Sequence, residues 1–392
     1  MGIYAIIQNI IQNIIQKIKR EKTMKHTTLF TISLFSLLGA SGAHAATNTH
    51  AYANAITAHN IASIQHTITQ TAISSFAGSM RGNMGAQKQR TKSISAQRNE
   101  NPATTYGRAP MYGTAPMYGE YNDDGSAGRS GGDIYNADAA LNSIWLNWQH
   151  MGDDAVFDNF AHLDSNINTF MFGVAGGLSE FAGGLSKWGM YAGFIDGDQQ
   201  NNEIQIDSKG GHFGIYNGNV FGNWGLFATV DGGVLNNTTD TIFGTDEHSN
   251  FWVGAATEIT YDFALDGTFT LQPGVHLGYT WIRGEDYTSA SGDILKNDAF
   301  SMFEVTPTLR AIKHIANGWF GALNAKYVMI FDNGGDTYIN DIVTDALETD
   351  NYREYSISLE KYVNHFNISA HFGRRDGARN GWIGGMNIKY AF

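Results

Sequence analysis

The strongest constraint in this sequence is a two-residue alternation of apolar and polar side chains that begins near Ser143 and continues to Phe392. In one stretch Phe269, Leu271, Pro273, Val275, Leu277, Tyr279 and Trp281 fall on one face, and Thr270, Gln272, Gly274, His276, Gly278 and Thr280 on the other. Successive side chains of a strand point to opposite faces, so this is a strand with one greasy and one wet side. The pattern predicts twelve strands, at 143–150, 167–178, 186–196, 209–221, 224–235, 250–263, 268–282, 300–313, 318–331, 352–363, 365–373 and 381–392. Several exceed the roughly 9–11 residues that a tilted strand needs to cross a bilayer.

The links between these segments alternate as well. Those after the even strands are short: 180–184, 222–223, 266–267, 316–318 and 364–365. Those after odd strands are mostly long and polar: 151–166, 199–208, 236–249, 285–299 and 332–351. A soluble sandwich has no reason to gather its long links at one end. An outer-membrane barrel does, with short periplasmic turns and longer outer loops. Residues 138–392 hold 13 basic and 31 acidic groups, net −18, with many acids in the expected loops. Backbone groups left unpaired in lipid cost several kcal/mol each, so only helices or closed barrels span. The chain has no spanning apolar run after its N-terminal region, while 46 Gly, 12% aromatics and only 16% charged residues suit a barrel. Trp188, Trp224, Trp252, Trp281, Trp319 and Trp382 lie near expected strand ends, as an interfacial girdle requires. The acidic balance argues against a nucleic-acid partner, and zero Cys excludes a thiolate nucleophile or Cys-bound metal.

Residues 24–46 have the form of a secretory signal: Lys25 and His26, an apolar stretch from Leu29 to Leu38, and a small-x-small site at Ala43 and Ala45 with cleavage before Ala46. The basic, Ile-rich repeat over 6–22 is either an extension of that signal or untranslated, with Met24 the true start. Domain 1–45 is therefore read as signal plus extension. The segment 46–135 is rich in Ala, Thr, Asn, Ser, Gln and Gly and repeats Ala-Pro-Met-Tyr-Gly at Ala109 and Ala115. Such composition buries too little apolar surface to offset ordering entropy, so disorder is expected, with transient helix over 53–73. Residues 136–392 form the third unit, the barrel.

The ordered set of strands resembles the translocator barrel of classical autotransporters, the type V secretion proteins of Gram-negative bacteria. Residues 210–228 look like that family's paired strands about a tight turn, and 257–263 followed by 269–279 are similar to its glutamate strand and leucine-x-proline strand. The ending, with Ile388, Tyr390 and Phe392, resembles the signature read by the barrel-assembly machinery. The resemblance implies an all-β, twelve-stranded antiparallel transmembrane barrel with a short N-terminal helix in the pore and a passenger outside. Residues 136–143, with an Asn N-cap option and Ala and Leu as helix formers, are the expected pore helix. The implied partners are outer-membrane lipid and lipopolysaccharide, the Sec translocon, periplasmic chaperones and the assembly machinery, with the barrel itself a monomer.

Two common enzyme signatures are missing: there is no phosphate-binding loop and no H-E-x-x-H. The 13 His residues show no metal-ligand spacing along the chain. Asp153-Asp154 and Asp246-Glu247-His248 are expected in outer loops, where acids are more often solvated or bind lipopolysaccharide cations than orient a His that activates water, as in barrel proteases. Asn136 and Asn142 are the candidates for self-cleavage in a pore helix, without the Asn-Asn pair it favours. No residue is assigned a catalytic, cofactor or metal role. Parity instead places Glu258, Asp262, Glu304, Arg310, Lys326, Glu354, Glu360 and Lys389 in the lumen. The function so read is an outer-membrane translocator that anchors and displays or exports residues 46–135. The alternative is an adhesive or structural barrel acting through acidic outer loops.

Overall fold

The computed structural model describes residues 53–73 and 142–392, apart from 158–160, 202, 317 and 345–349. Twelve long strands run antiparallel: β1 (Ser143–Phe157), β2 (Ala161–Ala175), β3 (Gly184–Gln200), β4 (Ile204–Phe221), β5 (Trp224–Thr241) and β6 (Gly244–Tyr261). They continue as β7 (Phe269–Gly284), β8 (Phe300–Ala316), β9 (Trp319–Gly334), β10 (Tyr352–Val363), β11 (Phe366–Gly377) and β12 (Arg379–Ala391). Each strand pairs with its chain neighbours, and β12 pairs with β1 from Ala391↔Ser143 to Arg379↔Ala155. The sheet therefore closes on itself, and no backbone edge faces lipid.

The alternation is inside out relative to a soluble protein. In β1, Ile144, Leu146 and Trp148 are exposed, while Trp145, Asn147 and Gln149 are buried. The apolar face meets lipid and the mixed face lines the lumen. Trp188, Trp224, Trp319 and Trp382 point outward, as a girdle requires, but Trp252 is fully buried. Its parity is that of the inner wall, where its ring lies over Gly233, the residue directly opposite on β5. Trp145 lies over Gly173, and Tyr191 and Gly214 are matched in the same way. A Cβ at Gly233 or Gly173 would stand 2.2–2.3 Å from the ring atoms, so these positions admit no side chain.

The long links expected at one end are largely strand. β5 and β6 run to Thr241 and from Gly244, leaving two residues between them, and β4 starts at Ile204. Through 235–241 the strand continues although Asn and Asp are poor β-formers, and burial still alternates, with Leu235, Asn237 and Thr239 facing inward. An 18-residue strand is about 59 Å long, well over the apolar band of roughly 25 Å even when tilted. The excess stands outside the membrane as a continuation of the barrel wall. Links 285–299 and 335–351 contribute Tyr287–Thr288, Ile294–Asn297, Thr337–Ile339 and Ile342–Thr344 to a separate four-stranded sheet at that end. The opposite turns are tight, with Gly222 and Asn364 at positive φ.

Among the described residues one helix, α1 (residues 53–73), lies inside the barrel. This corrects the expectation that 136–143 fills the pore: Ser143 opens β1, Asn142 accepts a bond from the Phe392 amide, and 136–141 lie outside the described residues. The predicted transient helix over 53–73 is the one that occupies the lumen, with every residue but Gln70 buried. Five Ile and four Thr among its 21 residues give it poor intrinsic helicity. Its helical form comes from the wall around it. A peptide of residues 53–73 is expected to give a coil-like circular dichroism spectrum in water; a strongly helical spectrum would show that propensity alone suffices.

Candidate functional site: a helix in a polar lumen

A helix buried on every side is usually apolar all round. α1 is not, because the lumen has two different halves. Ile61, Ala62, Ile64, Ile68 and Ala72 pack with Trp145, Met151, Tyr191, Tyr216, Phe227 and Trp252, an aromatic half carried by β1 and β3–β6. His59, Ser63, His66, Thr67 and Gln70 recur at helical spacing on the other face. They meet an ionic half built by β1, β8 and β9–β12.

At the centre of that half, Arg375 donates to Asp153 Oδ2 at 2.9 Å and to Glu354 Oε2 at 3.3 Å. It reaches the helix through Thr67 Oγ1 at 3.2 Å and Ser63 Oγ at 3.4 Å. Arg379 bonds Asp153 at 3.2 Å, the His59 carbonyl at 3.3 Å and Asn60 Oδ1 at 3.1 Å. Lys326 donates to Glu354 at 2.6 Å. Opposite these, Gln65 of the helix donates to Asp231 at 3.2 Å and accepts from Thr280 at 2.9 Å. Within this network each buried guanidinium and ammonium meets a carboxylate, as burial demands, whereas Asp231 is met only by neutral Gln65.

The direction of α1 follows from its end contacts. Asn54 donates to Asn297 Oδ1 at 3.0 Å and accepts from Tyr287, both in the sheet at the long-link end. Ala53, Ala55 and Ile56 pack with Ala155, Leu163, Ile204 and Ile206, where the strands outrun the membrane. Thr71 bonds Gln149, part-way down β1 toward the short-turn end. Below it a polar vestibule of about 130 Å³ is lined by Gln70, Thr71, Lys326, Glu354, Glu360 and Lys389, among others.

Of the residues assigned to the lumen by parity, Glu258, Glu304, Glu354 and Lys389 are buried. Asp262 accepts from Gln272, which in turn accepts from Arg310 at 2.7 Å, and Arg310 also bonds Asn324 at 2.7 Å. Glu360 accepts from Asn367 at 2.6 Å. Asp153 is not in an outer loop but within β1, and Asp246 and His248 lie within β6, all three buried, while Asp154 and Glu247 face out. Strand-end placement hid them, along with Arg375 and Arg379: the expected strands stopped at 150 and 373 and began at 250 and 381, two to four residues from each of these groups. Continuing the parity of Trp145 and Gln149 reaches Asp153. Ile388, Tyr390 and Phe392 are exposed on the outer face. Ala43, Ala45 and Ala46 lie outside the described residues.

The autotransporter β-domain family model matches residues 144–372, more than half of the sequence. The chain belongs to the autotransporter β-domain family. Its barrel is similar to the β-domain of the Bordetella autotransporter BrkA (16% identity, 64% of this chain and 100% of that one, TM-score 0.52). It is also similar to the translocator domain of NalP from Neisseria meningitidis (13%, 66% and 92%, TM-score 0.54) and the transport unit of AIDA-I from Escherichia coli (13%, 66% and 96%, TM-score 0.52). At these identities the likeness is one of fold. No curated protein matches the chain. The autotransporter barrel is an outer-membrane transport unit, and its site is the lumen with its helix.

Proposed function

We propose that this autotransporter barrel anchors and displays its own N-terminal end, and that the displayed part is the chain ahead of Ala53. The observation that carries this is the direction of α1: Asn54 sits among the long-link residues and Thr71 among the wall residues that lead down to the short turns. Short turns are the periplasmic side in this class of barrel. A chain leaving Ala53 continues outward. The inner end of α1 and Ser143, where β1 begins, both lie toward the short-turn end. That narrows the expectation of a displayed 46–135 segment to its first residues. The Sec route, periplasmic chaperones, insertion by the assembly machinery through the Ile388–Tyr390–Phe392 ending, and a monomeric barrel belong to the same proposal. So does a structural role for the eight lumen-parity residues, as wall groups that hold the helix by ion pairs and hydrogen bonds.

Two epitope tags test the direction, one between Thr49 and His50 and one at Gly113, each probed with protease on intact cells. The expected result is cleavage of the first tag, and of the second only after the outer membrane is breached. Cleavage at Gly113 on intact cells would overturn the route, and protection of both tags would remove display altogether.

A further inference from the structure

The His residues carry no ligand spacing in the sequence, yet the fold brings two of them to one carboxylate. His66 is on the polar face of α1, His276 on β7 and Glu304 on the adjacent β8. Their ligand-type atoms lie within 4.8 Å of one another, and all three residues are buried. His66 Nδ1 stands 2.8 Å from Glu304 Oε2 and His276 Nε2 stands 3.9 Å from Oε1. The two imidazoles meet edge to face, with centroids 5.6 Å apart.

A simple ion pair does not account for this arrangement. The His66 Nδ1 contact with the carboxylate uses one ring nitrogen, and neither His66 Nε2 nor His276 Nδ1 has a bonding partner among the described residues. A buried polar atom without a partner costs about 1–3 kcal/mol. Two imidazoles and a carboxylate converging on one point are what ligands of a shared ion look like. Bond lengths of about 2.0–2.2 Å to a first-row divalent metal put neighbouring ligand atoms roughly 3 Å apart. Glu258 faces His276 across the β6–β7 ladder, is buried, and has one carboxylate oxygen without a partner. It adds a second negative charge beside the cluster. Of the cations in the wall, Lys326 is held by Glu354, and Arg379, which shares a small pocket with His66 and Glu304, is held by Asp153. The vestibule below α1 reaches His66, which gives an ion a wet route from the short-turn end.

We propose that His66, His276 and Glu304 form a binding site for a divalent transition metal such as Zn2+, and that the bound ion staples the lumen helix to two strands of the wall. Two neutral imidazoles and one carboxylate with open positions suit Zn2+ better than Mg2+ or Ca2+, which prefer all-oxygen shells. The site sets the depth of α1 by tying its middle turn to β7 and β8.

The test uses the full chain, refolded in detergent and stripped with a chelator. Zn2+ is titrated by calorimetry and bound metal is counted by mass spectrometry; Co2+ serves as a spectroscopic probe, giving visible d–d bands in a site of this kind. The expected result is one ion per chain, a rise in unfolding temperature on binding, and a loss of affinity of at least about 100-fold in Glu304→Gln and in His276→Asn. Retained heat-modifiable migration shows that each variant is still a barrel. Substoichiometric Zn2+ on the wild-type chain overturns the proposal whatever the variants do, and so does stoichiometric binding that survives both substitutions. Because the readout is metal on the folded barrel, the outcome is independent of which tag reaches the cell surface.

Discussion

Deleting residues 53–73 is expected to turn a sealed barrel into a conducting pore. The helix is buried on nearly every side by the wall, so nothing else among the described residues fills the lumen at its level. An α-helix with its side chains is about 10–12 Å across, wide enough when removed to leave a water-filled channel. The exposed wall would carry Asp153, Asp231, Glu258, Glu304 and Glu354 against Arg310, Lys326, Arg375, Arg379 and Lys389. These nearly balance, so the opened pore is expected to conduct with weak ion selectivity. Planar-bilayer recordings should show large steady steps for the deletion and rare, small events for the full chain. Equal conductance in both would mean that α1 is not the seal.

The second large effect is expected at Arg375, whose side chain is only 1% exposed and ties Asp153, Glu354, Ser63 and Thr67 together. Arg375→Met keeps much of the volume and leaves two buried carboxylates each short of one cation. Losing one partner of a buried pair typically costs about 3–5 kcal/mol. The remaining bonds of Asp153 to Arg379 and of Glu354 to Lys326 place this case near the lower figure. The expected readout is a lowered unfolding temperature on heat-modifiability gels, together with flickering conductance as α1 loosens. Arg353 provides the contrast. It stands 4.0 Å from Asp376 with both side chains more than half exposed, and Arg353→Met is expected to change stability by under about 0.5 kcal/mol. Similar losses at both arginines would show that burial of the network contributes little.

The strands were legible because lipid and lumen impose opposite demands on alternate residues, and that demand is written at every second position from Ser143 onward. It was legible only as far as the membrane reaches. Beyond it, outward positions such as Thr238 and Asp240 are polar, so the alternation survives in burial but not in hydropathy. That is why Asp153, Asp246 and Arg375 were read as loop residues or missed. The helix was harder for a related reason. Its polar face answers a polar wall, so His59, Ser63, His66 and Gln70 look like solvent-facing residues when the wall is unknown. The Ile61–Ile64–Ile68 spacing was the available signal. The expectation at 136–143 rests on an Asn N-cap option and on Ala and Leu as helix formers, which favour a helix without saying that the lumen holds it. The His66–His276–Glu304 cluster joins three distant segments and could not be seen before they were closed into a ring.

The division of the lumen into an aromatic side and an ionic side makes the enclosure behave as a keyed socket. A plug of the same diameter turned by half a revolution would press isoleucines onto guanidinium groups and imidazoles onto indoles. Only one angular setting is tolerated, so changes on either surface of the plug must be matched by changes in the particular staves it touches.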